Sequence, residues 1–275
     1  MGWGWFFTYS AARSSRFASW LSRAAAAPHR RSVGKITAMA IDPASLKALV
    51  FDVFGTVVDW RGSVIRELQA LGRAKKIEAD WPAIADEWRA GYQPAMQRVR
   101  SGALPWTNID ALHRMILDEL LAKHRIAGLS EAEKSDLNLA WHRLAPWPDA
   151  VAGLARLRPR FTIGTLSNGN VALLVALARY GGLPWDVIFS AEHVRHYKPD
   201  PEVYRMVPAM LMLERHEVML VAAHGNDLKA AAAQGLRTAY VHRPLEHGPR
   251  PESQPAGDFD FSVRDFEHLA QLLGS

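Results

Sequence analysis

A carboxylate at the end of a buried strand is the first residue of this chain that could do chemistry. Residues 46–51, Leu-Lys-Ala-Leu-Val-Phe, form a short apolar run closed by Gly55 and Thr56, so the run reads as a strand of a parallel sheet, with Asp52 where strand passes to loop. Burying an ionised side chain is costly unless it is paired, and open α/β sheets bind ligands beyond the carboxyl ends of their strands. Asp52 is therefore a candidate for chemistry, with a cap on the following helix as the alternative. Later stretches place polar groups at comparable points: Ser167 and Asn168 after residues 161–166, Lys198 in the loop beyond 187–190, and His224 with Asp227 after 218–223. Singly these could be helix caps or surface charges. Jointly they converge, because successive strand-to-helix loops of a parallel sheet collect on one edge.

The elements that must position this set follow from the hydrophobic pattern. From Asp149 onward helices alternate with strands expected at 161–166, 187–190, 218–223, 238–241 and 259–261, with a Pro- and Gly-containing loop over 245–258. Such alternation implies right-handed crossovers and a doubly wound, Rossmann-like α/β core with 46–51 as its central strand. Four helices without an intervening strand are expected at 63–72, 81–100, 107–124 and 130–143, with apolar residues three and four apart, as in Ile109, Leu112, Ile116 and Leu120. They make an inserted all-helical cap. The expected organisation is thus a core of 45–60 and 147–275, a cap of 61–146, and an N-terminal extension of 1–44 that is disordered or begins at a mis-assigned start. Aromatics crowd the cap, and Trp81, Trp88, Tyr92, Trp106 and Trp141 are read as helix-packing residues.

Composition excludes several classes. Cysteine is absent, so no disulfide, thiolate metal site or cysteine nucleophile is available. The net charge of +5 is concentrated at the start, where residues 1–41 hold six Lys or Arg and no acid, leaving 27 basic residues against 28 acidic ones elsewhere. No general basic footprint for nucleic acid remains. No apolar run suits a membrane span, and a cytoplasmic location is expected.

The four stretches together resemble the haloacid dehalogenase superfamily from about Leu46 to the end. Residues 51–56, Phe-Asp-Val-Phe-Gly-Thr, are similar to its nucleophile motif, 166–169 to the second, 197–200 to the third and 221–227 to the fourth, with the helical insert just after the first. The resemblance implies an aspartate that attacks the substrate and forms an ester, which water then hydrolyses.

Departures choose the branch. Phosphatases of the superfamily carry a second Asp two residues after the nucleophile, where this chain has Phe54, and magnesium-binding acids in the fourth motif, where Ala223 stands in for one. The chain resembles the L-2-haloacid dehalogenases more closely, which implies metal-independent hydrolysis of short 2-haloalkanoic acids with inversion at the α-carbon and no cofactor. By that resemblance Asp52 is the nucleophile and Lys198 pairs with it, Arg89 and Asn168 receive the halide, Ser167 holds the substrate carboxylate, and Tyr204 and Phe54 border the pocket. Thr56 supports the nucleophile through a hydroxyl or backbone hydrogen bond. The fourth motif departs from this branch, since it reads Ala222-Ala223-His224-Gly225-Asn226-Asp227 where a Ser and an Asn are expected. His224 is then the expected acceptor of a proton from the hydrolytic water, with Asp227 orienting it, at an ordinary imidazole value near about 6.5. The expected partner is a small 2-halocarboxylate, with no nucleic acid and no membrane, and a homodimer stays open. A magnesium-dependent phosphatase of small phosphate esters and a non-catalytic binding protein remain the alternatives.

Overall fold

The structure is a computed structural model that describes residues 43–251 and 257–275; most of the expected N-terminal extension lies outside the described residues. Strand β1 (Ala48–Phe51) is buried at every residue, as its apolar run requires, and leads through a turn at Gly55 to a short strand β2 (Val58–Asp59). Four helices come next: α1 (Trp60–Lys75), α2 (Trp81–Arg100), α3 (Ile109–Lys123) and α4 (Glu131–Asn138). Each starts on a polar cap that accepts a free backbone N–H: Asp59 from Gly62, Asp80 from Ala83, Asn108 from Ala111, and Ser130 from Glu133 in a capping box. These caps set the starts, which periodicity alone placed three residues late at α1, correctly at α2, and two and one residues early at α3 and α4. The last expected helix ends at Asn138 and continues as a single 3-10 turn, Leu139–His142.

Strand β3 (Ala145–Pro146) then pairs antiparallel with β2, a ribbon hidden in what reads from sequence as a stiff connector. It places the chain's entry into the helical insert beside its exit. Trp147 reinforces it, donating its backbone N–H to Val57 O and its indole N–H to Gly55 O at 2.9 and 2.8 Å.

The remainder alternates as α5 (Ala150–Leu157), β4 (Thr162–Ser167), α6 (Val171–Gly181), β5 (Val187–Ser190), α7 (Pro201–Leu211), β6 (Val218–Ala222), α8 (Gly225–Ala233), β7 (Arg237–Val241), β8 (Phe261–Val263) and α9 (Phe266–Leu273). Among the described residues, six strands form one parallel sheet in the order β5-β4-β1-β6-β7-β8. The strand β1 is central, and the chain passes from it to one side at β4 and to the other at β6. That reversal opens a crevice at its carboxyl end. The last strand lies two residues beyond its expected place, because Asp260 is occupied in accepting the backbone and side-chain donors of Thr238 at 2.7 and 3.0 Å.

The insert packs as its aromatics suggested. Trp88 and Trp141 are fully buried and meet edge to face at 5.6 Å, and Trp88 donates its indole N–H to His113 O at 2.9 Å. Tyr92 is buried as well, but it also borders the cavity described below.

One partly buried ion pair joins three parts of the core. Arg243, just past β7, makes a two-pronged bond to Asp149 at 2.7 and 2.9 Å and donates to Thr56 O at 2.9 Å, while Asp149 also accepts Phe266 N–H at the start of α9 at 2.8 Å. Asp149→Ala would leave the Arg243 guanidinium buried beside its vanished partner, and removing one member of such a pair costs about 3 kcal/mol or more. Urea unfolding should show that loss.

Candidate active site

Asp52 leaves β1 with its backbone N–H still bonded to Val221 O at 3.0 Å, so the sheet fixes where its side chain begins. Its carboxylate takes three donors. Oδ2 accepts the Thr56 hydroxyl at 2.8 Å and His224 Nδ1 at 3.0 Å, and Oδ1 faces Lys198 Nζ at 3.3 Å. Thr56 Oγ1 in turn accepts Ala223 N–H at 2.9 Å, which aims the hydroxyl proton at Asp52. Lys198 also contacts Asp227 Oδ2 at 2.5 Å, and Tyr204 donates to Asp227 Oδ1 at 2.7 Å. The backbone N–H of Lys198 donates to Asn168 Oδ1 at 2.8 Å, which fixes the orientation of that amide.

His224 has a second carboxylate on its far side. Its Nε2 lies 3.0 and 3.1 Å from the two oxygens of Glu246, which is buried and accepts the Trp60 indole N–H at 3.2 Å. Nothing in the sequence marks Glu246, which stands in the loop after β7 among Pro and Gly residues. Gly55 makes room for it: a Cβ there would lie 2.0 Å from Glu246 Oε1, and the backbone φ of +82° also favours glycine.

These pairings decide the charges. Burial alone would raise the Asp52 carboxyl, but Lys198, His224 and Thr56 together outweigh it and hold Asp52 well below the usual carboxylate range. Burial would lower His224, yet hydrogen bonds and charge from Asp52 and Glu246 push it up to about 10. Lys198 is disfavoured by burial and kept charged by Asp227 and Asp52. Asp227 is pushed up by burial and by the charge of Asp52, against the pull of Lys198. The expectation for His224 therefore needs correcting. Both ring nitrogens face carboxylate oxygens that only accept, an arrangement that favours the ring with two N–H groups over an ordinary imidazole.

Asp52, Lys198, His224 and Asp227 border a cavity of about 510 Å³, with Phe54 and Tyr92 as its aromatic wall. Arg89 enters from α2 with its guanidinium 4.6 Å from the Tyr92 ring centre and 5.6 Å from that of Trp60, and its buried Nε has no hydrogen-bond partner. Asn168 and Tyr204 also reach this wall, while Thr56 stands behind Asp52. Ser167 does not reach it: the side chain is fully buried and accepts Gly169 N–H at 3.1 Å, serving the turn after β4.

A divalent cation does not fit these residues. The space between the carboxylates of Asp52 and Asp227 is spanned by the Lys198 ammonium, both Asp227 oxygens are engaged, and Phe54 offers no oxygen. Among the described residues no cluster of three or more His, Asp or Glu is arranged to hold a metal.

The haloacid dehalogenase-like hydrolase profile matches residues 46–235. The (S)-2-haloacid dehalogenase of Xanthobacter autotrophicus is 31% identical over 202 residues, covering 72% of this chain and 76% of that protein. The (S)-2-haloacid dehalogenase 1 of Pseudomonas sp. (strain CBS-3) is 28% identical over 254 residues, 85% of this chain and 98% of that one. Among solved structures, the defluorinating L-2-haloacid dehalogenase Rha0230 superposes with a TM-score of 0.81 at 43% identity, covering 85% of this chain and 98% of its own. The Xanthobacter autotrophicus enzyme with chloropropionic acid covalently bound superposes at 0.69 with 28% identity, covering 84% and 99%.

The charge pattern makes a stability prediction. Lys198→Met removes the group that opposes the upward push on Asp227, so the Asp227 carboxyl should rise further in the folded state while its unfolded value stays ordinary. A folded value above the unfolded one gives stability that is present at low pH and lost as pH rises through the folded value. The unfolding free energy of Lys198→Met should therefore fall relative to the parent as pH rises above the unfolded Asp value of about 3.9, and guanidinium titrations over a pH series measure it.

Proposed function

This chain belongs to the haloacid dehalogenase-like hydrolases, and from that premise we propose that it is a metal-independent 2-haloacid dehalogenase acting through an Asp52 ester. The observation that carries this reading is Arg89, a cation with a buried, unpartnered Nε on the wall of the cavity that holds an ionised, desolvated carboxylate. A carboxylate attacking a saturated carbon needs a receiver for the departing halide and apolar surface beside the reacting carbon, which Arg89 and the Phe54 and Tyr92 rings can supply.

Of the two oxygens of Asp52, Oδ1 is the freer, with one donor at 3.3 Å against two closer ones on Oδ2. Oδ1 attacks the α-carbon opposite the halogen, the C–O bond forms as the carbon–halogen bond breaks, and the electron pair leaves with the halide. Attack from the opposite face inverts that carbon. Arg89 receives the halide, together with the Asn168 amide N–H₂ group, which is turned away from Lys198 by the bond to Asn168 Oδ1. Ser167 stays behind the wall, where it accepts Gly169 N–H and shapes the turn that carries Asn168. Phe54 and Tyr92 exclude water from the reacting carbon. A phosphatase would need an acid in place of Phe54 to protonate its leaving group, and counter-charge for the transferred phosphoryl.

Halide release from racemic 2-chloropropionate should stop at about half conversion and persist under exhaustive chelation. Phosphate release from small esters that appears only with magnesium would sink the reading. Arg89→Lys keeps the charge but loses the planar fork, and should slow ester formation about a hundredfold while decay of ester already formed stays near the parent rate. Rapid-quench mass measurement of the protein separates the two steps.

A further inference from the structure

Hydrolysis of the Asp52 ester places negative charge on the acyl oxygen, and the residues already around Asp52 show what meets it. We propose that His224, held by Glu246, is the oxyanion donor of that step, acting with Thr56 on Asp52 Oδ2. This rests on the dehalogenase reading and concerns its second half.

The geometry is in place before substrate arrives. Once Oδ1 is alkylated, Oδ2 is the ester carbonyl oxygen, and it already carries the Thr56 hydroxyl at 2.8 Å and His224 Nδ1 at 3.0 Å. Fixed donors at these distances from the oxygen that becomes negative are what acyl-transfer sites use. The other nitrogen of His224 is committed to Glu246 at 3.0 and 3.1 Å, so neither can take a proton from water without first losing a partner. Glu246 is itself held from several sides. Trp60 donates to it, Gly55 leaves space for it, and Arg243 three residues earlier ties its loop to Thr56 O and Asp149. Glu246 is thus a positioning residue, acting on the ester only through His224.

The step balances with groups already present. Water oxygen adds to Cγ, giving one proton to Asp227, and the carbonyl electron pair moves onto Oδ2. The pair returns, the Cγ–Oδ1 bond breaks, and Oδ1 leaves as the product hydroxyl oxygen. It takes a proton from Lys198 Nζ, 3.3 Å away, and Asp227 returns one to Lys198 across 2.5 Å. Asp52 is left as the acid, carrying the water oxygen, and releases its proton to solvent.

An oxyanion donor and a base depend oppositely on pH. The charged groups facing His224 are Asp52 from the end of β1 and Glu246 from the loop after β7; Lys198 touches Asp52, Asp227 lies on His224's own helix, Arg89 acts on Glu246, and His247 Nε2 stands 3.7 Å from Glu246 Oε1. Esterification neutralises Asp52, which lowers His224 from its value in the free protein, and Glu246 then remains as the carboxylate bonded to the ring.

Single-turnover reactions of the full chain with 2-chloropropionate, quenched over a pH series, test this. The halide burst and the mass gain on Asp52 report the first step, and decay of that mass reports the second. Decay should be flat near neutrality and fall on the alkaline side as His224 loses its proton. Glu246→Gln, which keeps an acceptor for Nε2 but removes the charge, should move that limb down by about 1–3 pH units. His224→Gln should abolish the limb and slow decay by roughly 10²–10³-fold, with the burst retained. Decay that instead rises with pH through the titration would make His224 a base and overturn the proposal. So would a Glu246→Gln limb that stays in place while the rate drops, since Glu246 would then only support the fold. A parent protein that releases no halide burst would overturn the dehalogenase reading on which the proposal rests.

Discussion

Asp52 is buried and ionised at once, and the surrounding structure is arranged around that constraint. An isolated carboxylate in such a place would take up a proton. Here it sits at the middle of a row of alternating charges: Glu246, His224, Asp52, Lys198, Asp227, each in hydrogen-bond contact with the next. The row explains why the two outer acids behave differently. Glu246 is held down chiefly by His224 against its burial, whereas Asp227 is driven up by burial and by the charge of Asp52. Loss of any inner member leaves an unpaired charge out of water, so the row is coupled far more tightly than a set of surface pairs.

The fold serves this row by bringing together groups that are far apart in sequence. Asp52 and His224 stand at the ends of adjacent strands, β1 and β6, whose register is set by main-chain pairing. Lys198 comes from the loop after β5, two strands away on the other side, and must reach inward along its full length. Its stem lies buried while its ammonium meets two carboxylates, the one arrangement in which a lysine is stable at such depth. The helical insert adds the Arg89 cation and the Tyr92 ring to the cavity wall, and the β2–β3 ribbon ties its two ends to the core beside Asp52.

The position of Lys198 between Asp52 and Asp227 bears on what chemistry the site supports. A divalent ion stabilises charge on phosphoryl oxygens, while the present site holds a carboxylate paired with Lys198, His224 and Thr56 close to apolar Phe54 and leaves the Nε of one cation, Arg89, without a hydrogen bond.

Much of this was determined by the sequence alone. Apolar runs ending in polar residues located the strands and the edge where Asp52, Asn168, Lys198, His224 and Asp227 meet, because strand period and crossover handedness leave few ways to arrange such a chain. The helical insert followed from three-and-four spacing. What only the tertiary structure decided were matters of partner and environment. Glu246 lies in a loop with no motif, and its approach to His224 depends on a glycine 191 positions earlier having no Cβ. His224 reads as an ordinary imidazole until two carboxylates are placed on its two nitrogens, and Ser167 reads as a ligand until its side chain turns onto its own loop. Local pattern carries the position of a side chain along the chain and across a sheet, but its charge is set by neighbours in space, and those neighbours exist only once the chain has folded.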